Sequence, residues 1–409
     1  MRRREFLNSS LAASLGVAAV GQLSGSAESR AAEKPAESLP LFVGHPVVSG
    51  PAPESLSILQ SVNGPASGYL ELAVGDGEFQ KIQGESAGLL PYDQNVLKFV
   101  LPPLPVNSTI RYRVVARTIH FQSAYKIHQG EAVSTEVKEF RTLNPDSAET
   151  KFTIWNDTHE NQETIKKLVE LTDSYRPDFL LWNGDQSNDI YDPAKMRAQY
   201  LAPSGLEISS RWPLAYARGN HDVRGPAARE LSKFTGNPDN RFYYGFRSGP
   251  VAVLVMDTGE DKPDDRAVFA GLAGFEAMRE RQRQWLAKVI EEDWFKSAPY
   301  RVLFCHIPLW FDGYEPPPDF WIYSEVCRNA WVPLLQQGGV QLVVSGHTHR
   351  AHWMPKSETQ PLPQLVGGGP KIAAATIMEG TANESRFVIT SKSLDGQVLH
   401  EVMLPPLVT

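Results

Sequence analysis

The order of apolar and polar residues divides most of the chain into two regions with different periodicities. Between residues 41 and 143, short apolar runs are separated by Gly, Pro and Asn, and Ile110, Tyr112 and Val114 alternate with arginines. Alternation with a period of two is typical of a strand with one face in water. Several such strands in succession predict a β-sandwich of about 100 residues.

After a polar linker at 144–149, apolar strands alternate with helical segments. Between the first two strands, Ile165, Leu168, Val169 and Thr172 share one face of a predicted helix, and a second amphipathic helix is expected at 278–289. This alternation predicts a layered α/β domain over residues 150–405, ending in a β-hairpin that turns at 394–396. The strands are predicted at 152–155, 179–182, 214–217, 251–256, 302–304 and 342–344.

The first 32 residues are predicted to be a secretory signal. Three arginines at 2–4 precede Phe6 and Leu7, and the apolar run at 11–23 is too short to span a bilayer. The twin arginine resembles the bacterial Tat signal, although a merely basic start of a signal peptide is the alternative. We therefore expect an exported protein, periplasmic or extracellular, that has no transmembrane segment after cleavage. The resemblance implies passage through the Tat export machinery.

Composition excludes several classes of function. The 409 residues include 40 Lys and Arg against 47 Asp and Glu, a net charge of −7. This balance argues against an extended nucleic-acid-binding surface, which needs an excess of cationic side chains. Two cysteines, Cys305 and Cys327, are too few for a disulfide framework or a four-cysteine zinc site. Whether they pair with each other stays open.

Five predicted strands of the second region are followed by residues of the types that bind metal ions in proteins. Because ligands bind beyond the carboxyl ends of strands in α/β sheets, these clusters should meet at one edge. Carboxylates and imidazoles suit Zn, Mn or Fe, and one carboxylate can bridge two divalent ions. Asp185 is the candidate for that bridge. The clusters are Asp157-Thr158-His159, Gly184-Asp185, Gly219-Asn220-His221-Asp222, His306 and Gly346-His347-Thr348-His349.

The local conformation of these clusters can also be predicted. Asp-x-His and His-x-His should place both ligands on one side of an extended segment, with Thr158 and Thr348 turned away. The glycines before Asp185, Asn220 and His347 should permit sharp backbone turns. Each cluster alone could be a surface turn, and the acidic loop at 257–261 could either approach the metals or be solvated. The ordered set, one cluster per strand end, favours a metal centre.

The order of these motifs resembles that of the calcineurin-like metallophosphoesterase superfamily over residues 150–405. The resemblance implies a four-layer α/β/β/α sandwich with two divalent metal ions, so that the whole chain would be a multidomain α+β protein. It places His221 outside the ligand set, as the residue that protonates the leaving group. It makes Asp157, His159, Asp185 and His349 ligands of one metal, and Asp185, Asn220, His306 and His347 ligands of the other.

The activity that this resemblance implies is hydrolysis of a phosphomonoester or a phosphodiester. A metal-bound hydroxide would attack phosphorus while both ions neutralise the charge on the phosphoryl oxygens. Imidazole is suited to proton transfer near neutral pH, so His221 would protonate the departing alcohol. The implied partner is a small phosphate ester.

The first region resembles a fibronectin type III domain in Pro102-Pro103-Leu104-Pro105 and in the strand at 110–114. Purple acid phosphatases place such a domain before a similar catalytic domain, but they carry glycine where this chain has His159 and tyrosine where it has Asn188. Without a phenolate we expect no purple colour and no strict requirement for iron(III). Two alternatives stay open, a purple-type acid phosphatase and a surface binding protein with a vestigial catalytic domain. All the implied ligands are present, which disfavours the vestigial alternative.

Overall fold

Two β-sheets packed face to face form the centre of the fold. The computed structural model describes residues 39–52, 56–311 and 318–407. The predicted signal segment at 1–32 lies outside the described residues. Across the described ranges, no helix has both the length and the apolar character needed to cross a membrane.

The strands and helices of the described residues follow the two periodicities of the sequence. The first region contributes β1 (Val47–Ser49), β2 (Ser57–Ser61), β3 (Ala66–Val74), β4 (Gln80–Ile82), β5 (Tyr92–Asp93), β6 (Val96–Val100), β7 (Thr109–Ser123), β8 (Lys126–Gln129), β9 (Val133–Ser134) and β10 (Lys138–Arg141). The second region contributes β11 (Glu149–Trp155), α1 (Gln162–Tyr175), β12 (Phe179–Asn183), α2 (Pro193–Met196), β13 (Leu214–Ala217), β14 (Tyr244–Ser248), β15 (Val251–Met256), α3 (Phe275–Val289), α4 (Asp293–Lys296), β16 (Tyr300–Cys305), α5 (Pro318–Gln337), β17 (Leu342–Ser345), β18 (His352–Met354), β19 (Gln364–Val366), β20 (Thr376–Asn383), β21 (Phe387–Ser393) and β22 (Val398–Leu404).

The two central sheets place parallel strands next to each other in their middle. The larger sheet has nine strands in the order β22-β21-β20-β11-β12-β13-β1-β2-β6, and β11, β12 and β13 are parallel. The smaller one has six in the order β14-β15-β16-β17-β19-β18, with β15, β16, β17 and β19 parallel. All six strands that the sequence predicts for the second region before its hairpin are present. The hairpin of β21 and β22 is antiparallel, as predicted.

Three apolar cores produce a four-layer sandwich. Between the sheets, Phe152 stacks on Phe179 with ring centroids 5.2 Å apart, and Phe304 packs against them. On the outer face of the larger sheet, Trp155 and Trp182 pack against the buried side of α1. Helices α3 and α5 cover the outer face of the smaller sheet. The predicted α/β/β/α arrangement is confirmed.

Helix α1 shows why the predicted periodicity holds. Its N-cap, Asn161, accepts a hydrogen bond from the Thr164 N–H at 3.1 Å, which satisfies a donor that the helix leaves unpaired. Ile165 and Leu168 are buried against the sheet, and Thr172 accepts a hydrogen bond from Trp155 Nε1 at 2.9 Å. The apolar face of the helix therefore fixes the helix beneath the end of β11.

The first region shares a sheet with the second. Strand β1 pairs in parallel with β13 through Ser49 and Leu214, so β1, β2 and β6 extend the nine-stranded sheet. A seven-stranded sheet, in which β10, β7, β3 and β4 are neighbours, packs over these strands and completes a β-sandwich. The Lys98 ammonium donates hydrogen bonds to the Ser232 and Thr235 carbonyls, at 3.1 and 2.7 Å, and burial lowers its pKa to about 8. The two regions are thus joined by a continuous sheet and by buried polar contacts.

Candidate metal centre

The loops that follow five strands meet at one edge of the two central sheets. Backbone hydrogen bonds connect them, from the His159 N–H to the Asp185 carbonyl at 2.9 Å and from the Gly346 N–H to the His306 carbonyl at 2.9 Å. The loops after β11, β12, β13, β16 and β17 therefore form one rim. This rim brings together all eight residues that the sequence singled out.

The backbone of these loops differs from the prediction for Asp-x-His and His-x-His. Asp157 and His159 have φ values of 46° and 42°, and His347 and His349 have values of 70° and 57°. These residues lie in the left-handed region, so the prediction of an extended segment was wrong. Side chains two residues apart converge because the chain coils tightly there. Such conformations cost about 1–3 kcal/mol each in general, and they concentrate at functional sites.

The three glycines that precede ligands serve two different purposes. Gly184 has a φ of +85°, which fits the predicted sharp turn. Gly219 and Gly346 provide space instead, since a Cβ would lie 2.2 Å from Asp185 Oδ1 and 2.3 Å from Asp157 Oδ2, respectively. Gly219 and Gly346 are therefore required because a carboxylate lies close to the backbone at each position, and not because the turn needs a positive φ.

Asp157, His159 and His349 form the first of two groups, which we call the outer group. His159 Nε2 and His349 Nε2 lie 3.0 Å apart, and His349 Nε2 lies 3.5 Å from Asp157 Oδ1. His159 Nδ1 donates a hydrogen bond to Asn188 Oδ1 at 3.0 Å, which leaves the Nε2 lone pair facing the group. The His347 N–H donates to both oxygens of Asp157 at 2.9 Å and holds the carboxylate in place.

Asp185, His306 and His347 form the second group, the inner group, with Asn220 beside it. His306 Nε2 lies 3.0 Å from Asp185 Oδ2, while its Nδ1 donates to the Asn183 carbonyl at 2.9 Å. His347 Nδ1 is 2.9 Å from Asn220 Oδ1. Asp185 also belongs to a cluster with His159, whose Nε2 lies 3.5 Å from Asp185 Oδ2. Its carboxylate therefore stands between the outer and inner groups.

His221 lies beside both groups and is held by its own contacts. Its N–H donates to Asp185 Oδ1 at 2.8 Å, and its ring lies 4.8 Å from that of His159. His221 Nδ1 donates to the Asn188 carbonyl at 2.9 Å, and Arg224 Nη1 donates to His221 Nε2 at 2.9 Å. The His221 ring is thus held at Nδ1 by the Asn188 carbonyl, and its Nε2 points away from that carbonyl.

Burial and mutual charge shift the pKa values of the ligands strongly. Burial alone would lower the pKa of His306, but the carboxylates of Asp185 and Asp157 outweigh it and raise the pKa to about 10. Burial raises the pKa of Asp157 and is only partly opposed by His306. Burial lowers the pKa of His159 to about 4 and of His347 to about 3. Without metal, a protonated His306 supplies the positive charge that the two carboxylates require.

The donor atoms fit divalent metal ions. His306 Nε2 is buried and has no hydrogen bond of regular geometry within the described residues, although it faces Asp185. Its second ring nitrogen is bound to a carbonyl, the arrangement that orients metal-binding histidines. Carboxylate, imidazole and amide donors suit Zn, Mn or Fe. Either group could hold one ion, and Asp185 could contact both.

Two residues that shape the site, Asp222 and Asn188, were given no role from the sequence. Asp222 is buried and accepts hydrogen bonds from the Asp185 and Gly219 N–H groups at 2.9 and 2.8 Å, which fixes the loop of Asp185. Its place directly after Asn220-His221 was the available signal. Asn188 was noted only because it is not tyrosine, yet it contacts both His159 and His221.

The acidic loop at 257–261 is not a solvated loop. Asp257 and Glu260 are 1% and 2% exposed and pair with Arg218 and Arg224, respectively. The buried Arg279 of α3 donates to the Thr258 and Glu260 carbonyls and so fixes the loop. Of the two alternatives, the loop approaches the centre, because Arg224 connects Glu260 to His221.

Comparisons with known proteins identify the same segment of the chain. Residues 150–351 match the family model of the calcineurin-like phosphoesterases. The serine/threonine-protein phosphatase CPPED1 of Mus musculus is 27% identical over 172 residues, which cover 41% of this chain and 48% of that protein. The Bos taurus CPPED1 is 26% identical over 146 residues, covering 35% and 43%. The chain thus spans about half the length of the curated relatives it matches.

A solved structure extends the likeness to the first region. The purple acid phosphatase PPD1 from yellow lupin (Lupinus luteus) seeds superimposes with a TM-score of 0.63 at 15% identity, covering 88% of this chain and 74% of that one. At this identity the likeness concerns the fold alone. Residues 150–351 thus match the calcineurin-like phosphoesterase family, and the likeness of fold extends over a larger part of the chain.

Proposed function

We propose that this protein is an exported phosphoric ester hydrolase that uses two divalent metal ions to cleave phosphomonoesters or phosphodiesters. The observation that carries the proposal is the position of the Asp185 carboxylate. It lies 3.0 Å from His306 Nε2 in the inner group and 3.5 Å from His159 Nε2, next to the outer group. A carboxylate placed between two sets of imidazoles suits a bridge between two ions.

In this proposal the outer group and Asp185 hold one ion, and the inner group with Asn220 holds the other. The ions would supply an activated water at neutral pH and offset the negative charge of the phosphoryl group. Asp157 and Asp185 are then oriented by backbone N–H groups, from His347 and His221, respectively. Asp222 accepts a hydrogen bond from the Asp185 N–H and so holds the loop that carries Asp185.

His221 is proposed as the proton donor to the leaving alcohol. Its Nδ1–H is bound to the Asn188 carbonyl, so the proton available for transfer is one on Nε2, which the ring carries only after the hydrogen bond from Arg224 Nη1 to Nε2 has opened. Arg224 beside Nε2 places a positive charge where the ester oxygen develops negative charge. The ester P–O bond breaks, the alcohol oxygen takes the Nε2 proton, and water provides the hydroxyl group that phosphorus gains, while the remaining proton of that water restores the imidazolium.

Export and domain roles complete the proposal. The Tat-like arginines and apolar run in residues 1–32 support export through the Tat pathway, with a periplasmic or extracellular destination. Residues 41–143 are proposed as a fibronectin type III-like module and residues 150–405 as the catalytic domain. A purple-type centre is disfavoured because Asn188, which binds His159 Nδ1, stands where those enzymes carry tyrosine.

The experiment that tests the proposal combines metal loading with a series of leaving groups. The protein reconstituted with Zn, Mn or Fe should hydrolyse monoesters or diesters of a matched panel. His221→Ala should retain its metals but lose turnover by roughly 10²–10⁴-fold for alkyl esters, and by less for 4-nitrophenyl esters, whose leaving group needs no proton. The exposed His120 is the matched control, and His120→Ala should leave both properties unchanged.

Two outcomes would contradict these assignments. An equal loss across the leaving-group series would remove His221 from the role of proton donor. A folded, metal-loaded protein that hydrolyses no phosphate ester would favour the alternative of a binding protein with a vestigial catalytic domain.

A further inference from the structure

A cavity of about 570 Å³ lies next to His221. Arg224 connects the two, because it is one of the residues that line the cavity and its Nη1 lies 2.9 Å from His221 Nε2. Three segments form the walls, the residues directly after His221, the acidic loop at 257–261 with Lys262, and the segment at 267–275 that leads into α3. The cavity and His221 Nε2 therefore share one neighbour, Arg224.

One wall of this cavity is apolar and largely exposed. Val268 and Leu272 are 74% and 73% exposed, and Phe269 packs edge-on against Phe275 with ring centroids 6.3 Å apart. The segment is held in place because Asp264 accepts hydrogen bonds from the N–H groups of Phe275 and Glu276, both at 3.0 Å. Exposed apolar side chains gathered beside a polar centre mark a binding surface.

Other residues of the lining are cationic. Arg224 is paired with Glu260 at 2.6 Å, Lys262 is paired with Asp261, and Arg229 lies exposed at the margin. Three cationic side chains stand against Glu260 in the lining and Asp261 beside it, which leaves a net charge of +3 − 2 = +1. This charge would attract an anionic ester, and the apolar wall would then select among esters by their organic part.

We propose that this cavity binds an apolar leaving group, so that the substrates are phosphate esters of aryl or similarly apolar alcohols. This inference rests on the proposed function. An ester oxygen that takes a proton from His221 Nε2 must lie within about 2.6–3.2 Å of it. The organic part then extends beyond Arg224 into the cavity, whose volume lies in the range of about 300–1,000 Å³ usual for small-molecule sites.

Calorimetry with two phosphonates tests the cavity without requiring turnover. Methylphosphonate and 1-naphthylmethylphosphonate would be titrated into the Mn²⁺-loaded full protein. The naphthyl compound should bind at least about 10-fold more tightly, since each buried methylene equivalent contributes about fourfold in affinity. Leu272→Ser should reduce this preference about fourfold or more for the same reason. Leu89 is 75% exposed and lies in the first region, so Leu89→Ser is the matched control and should keep the preference.

Hydrolysis of 1-naphthyl phosphate and ethyl phosphate then separates the two proposals. Equal binding of both phosphonates, or a preference that survives Leu272→Ser as it does Leu89→Ser, overturns the cavity inference even if both esters are hydrolysed. A preference that Leu272→Ser removes, together with faster hydrolysis of the naphthyl ester, supports it. The same preference without hydrolysis of any ester overturns the proposed function and, with it, the leaving-group role.

Discussion

The outer and inner groups of the candidate centre use the same kinds of side chain but differ in how they are held. In the inner group, His306 is fully buried and its Nδ1 is bound to the backbone carbonyl of Asn183. In the outer group, the side chain of His349 is 44% exposed, and His159 depends on the side chain of Asn188. Backbone therefore fixes His306 of the inner group, whereas in the outer group a side chain holds His159 and solvent reaches His349.

This difference suggests that the two ions are bound with different strength. A ligand fixed by backbone loses little entropy when it binds, while an exposed ligand must be ordered at that moment. We therefore expect the inner group to retain its ion at concentrations where the outer group loses one. Asp185, which stands between the groups, is the residue whose change should remove the difference altogether.

Asp185→Asn should have the largest effect. The amide keeps the shape but removes the charge and the second strong donor, so both ions should be lost together, with affinity reduced by more than about 100-fold, since even changes of outer-shell partners cost 10–100-fold. Metal content after dialysis, measured by mass spectrometry, checks this. Asp395→Asn, in the exposed hairpin turn, is the control. Full metal content in Asp185→Asn would contradict the bridging position.

The second prediction compares His306→Ala with His349→Ala. His306→Ala should lose the inner ion and should also have a lower free energy of unfolding, because Asp185 and Asp157 remain buried without their positive partner. His349→Ala should weaken only the binding of the outer ion. We expect a loss of about 10-fold or more, because changes in the partners of metal ligands already weaken metal binding by about 10–100-fold. Because His349 is partly exposed, added imidazole should restore metal binding and turnover in His349→Ala but not in His306→Ala. Equal rescue of both variants would show that the groups do not differ in access.

The third prediction concerns pH. Asp185 and Asp157 raise the pKa of His306 to about 10, above the value of about 6.5 usual for an unfolded chain. The charge on His306 therefore stabilises the metal-free protein fully below about pH 6.5 and is lost as the pH rises through about 10. Metal requires neutral His306, so metal uptake at pH 8 should release about one proton or more. Calorimetry in buffers of different ionisation enthalpy measures this number. His306→Gln should abolish most of the release.

How far the sequence predicts this centre depends on the kind of information each part needs. The strands and α1 were predictable because apolar periodicity is local, as for Ile165 and Leu168. The convergence of the ligand loops followed from the general rule for strand ends. The left-handed backbone at Asp157 and His349 was not predictable, because even Asp and His, which are enriched at positive φ, adopt it at a minority of positions, and tertiary structure selects those positions.

The pairing of a strand from the first region with a strand from the second could not be predicted from the sequence either. The join of β1 to β13 through Ser49 and Leu214 connects residues 165 positions apart in the chain, and nothing local in either strand indicates the other. The role of Arg224 likewise depends on Glu260, which arrives from a different strand. Such contacts are set by tertiary packing, whereas the ligand motifs are contiguous and carry their chemistry in the residue types themselves.

The smallest expected effect tests the side-chain support of the outer group. Asn188→Ala removes the acceptor that holds the proton on His159 Nδ1 and directs Nε2 toward the outer group. Loss of such a partner typically weakens metal binding 10–100-fold, and we expect about 10-fold or less because Asn188 is exposed and water can replace its oxygen. Inner-ion affinity should not change, since His306 is held by the Asn183 carbonyl. Competition titrations with a chelator resolve the two affinities. A parallel loss at both groups would mean that Asn188 acts through the fold of the whole rim, through its carbonyl contact with His221 among others, and the two groups would then be a single cooperative unit.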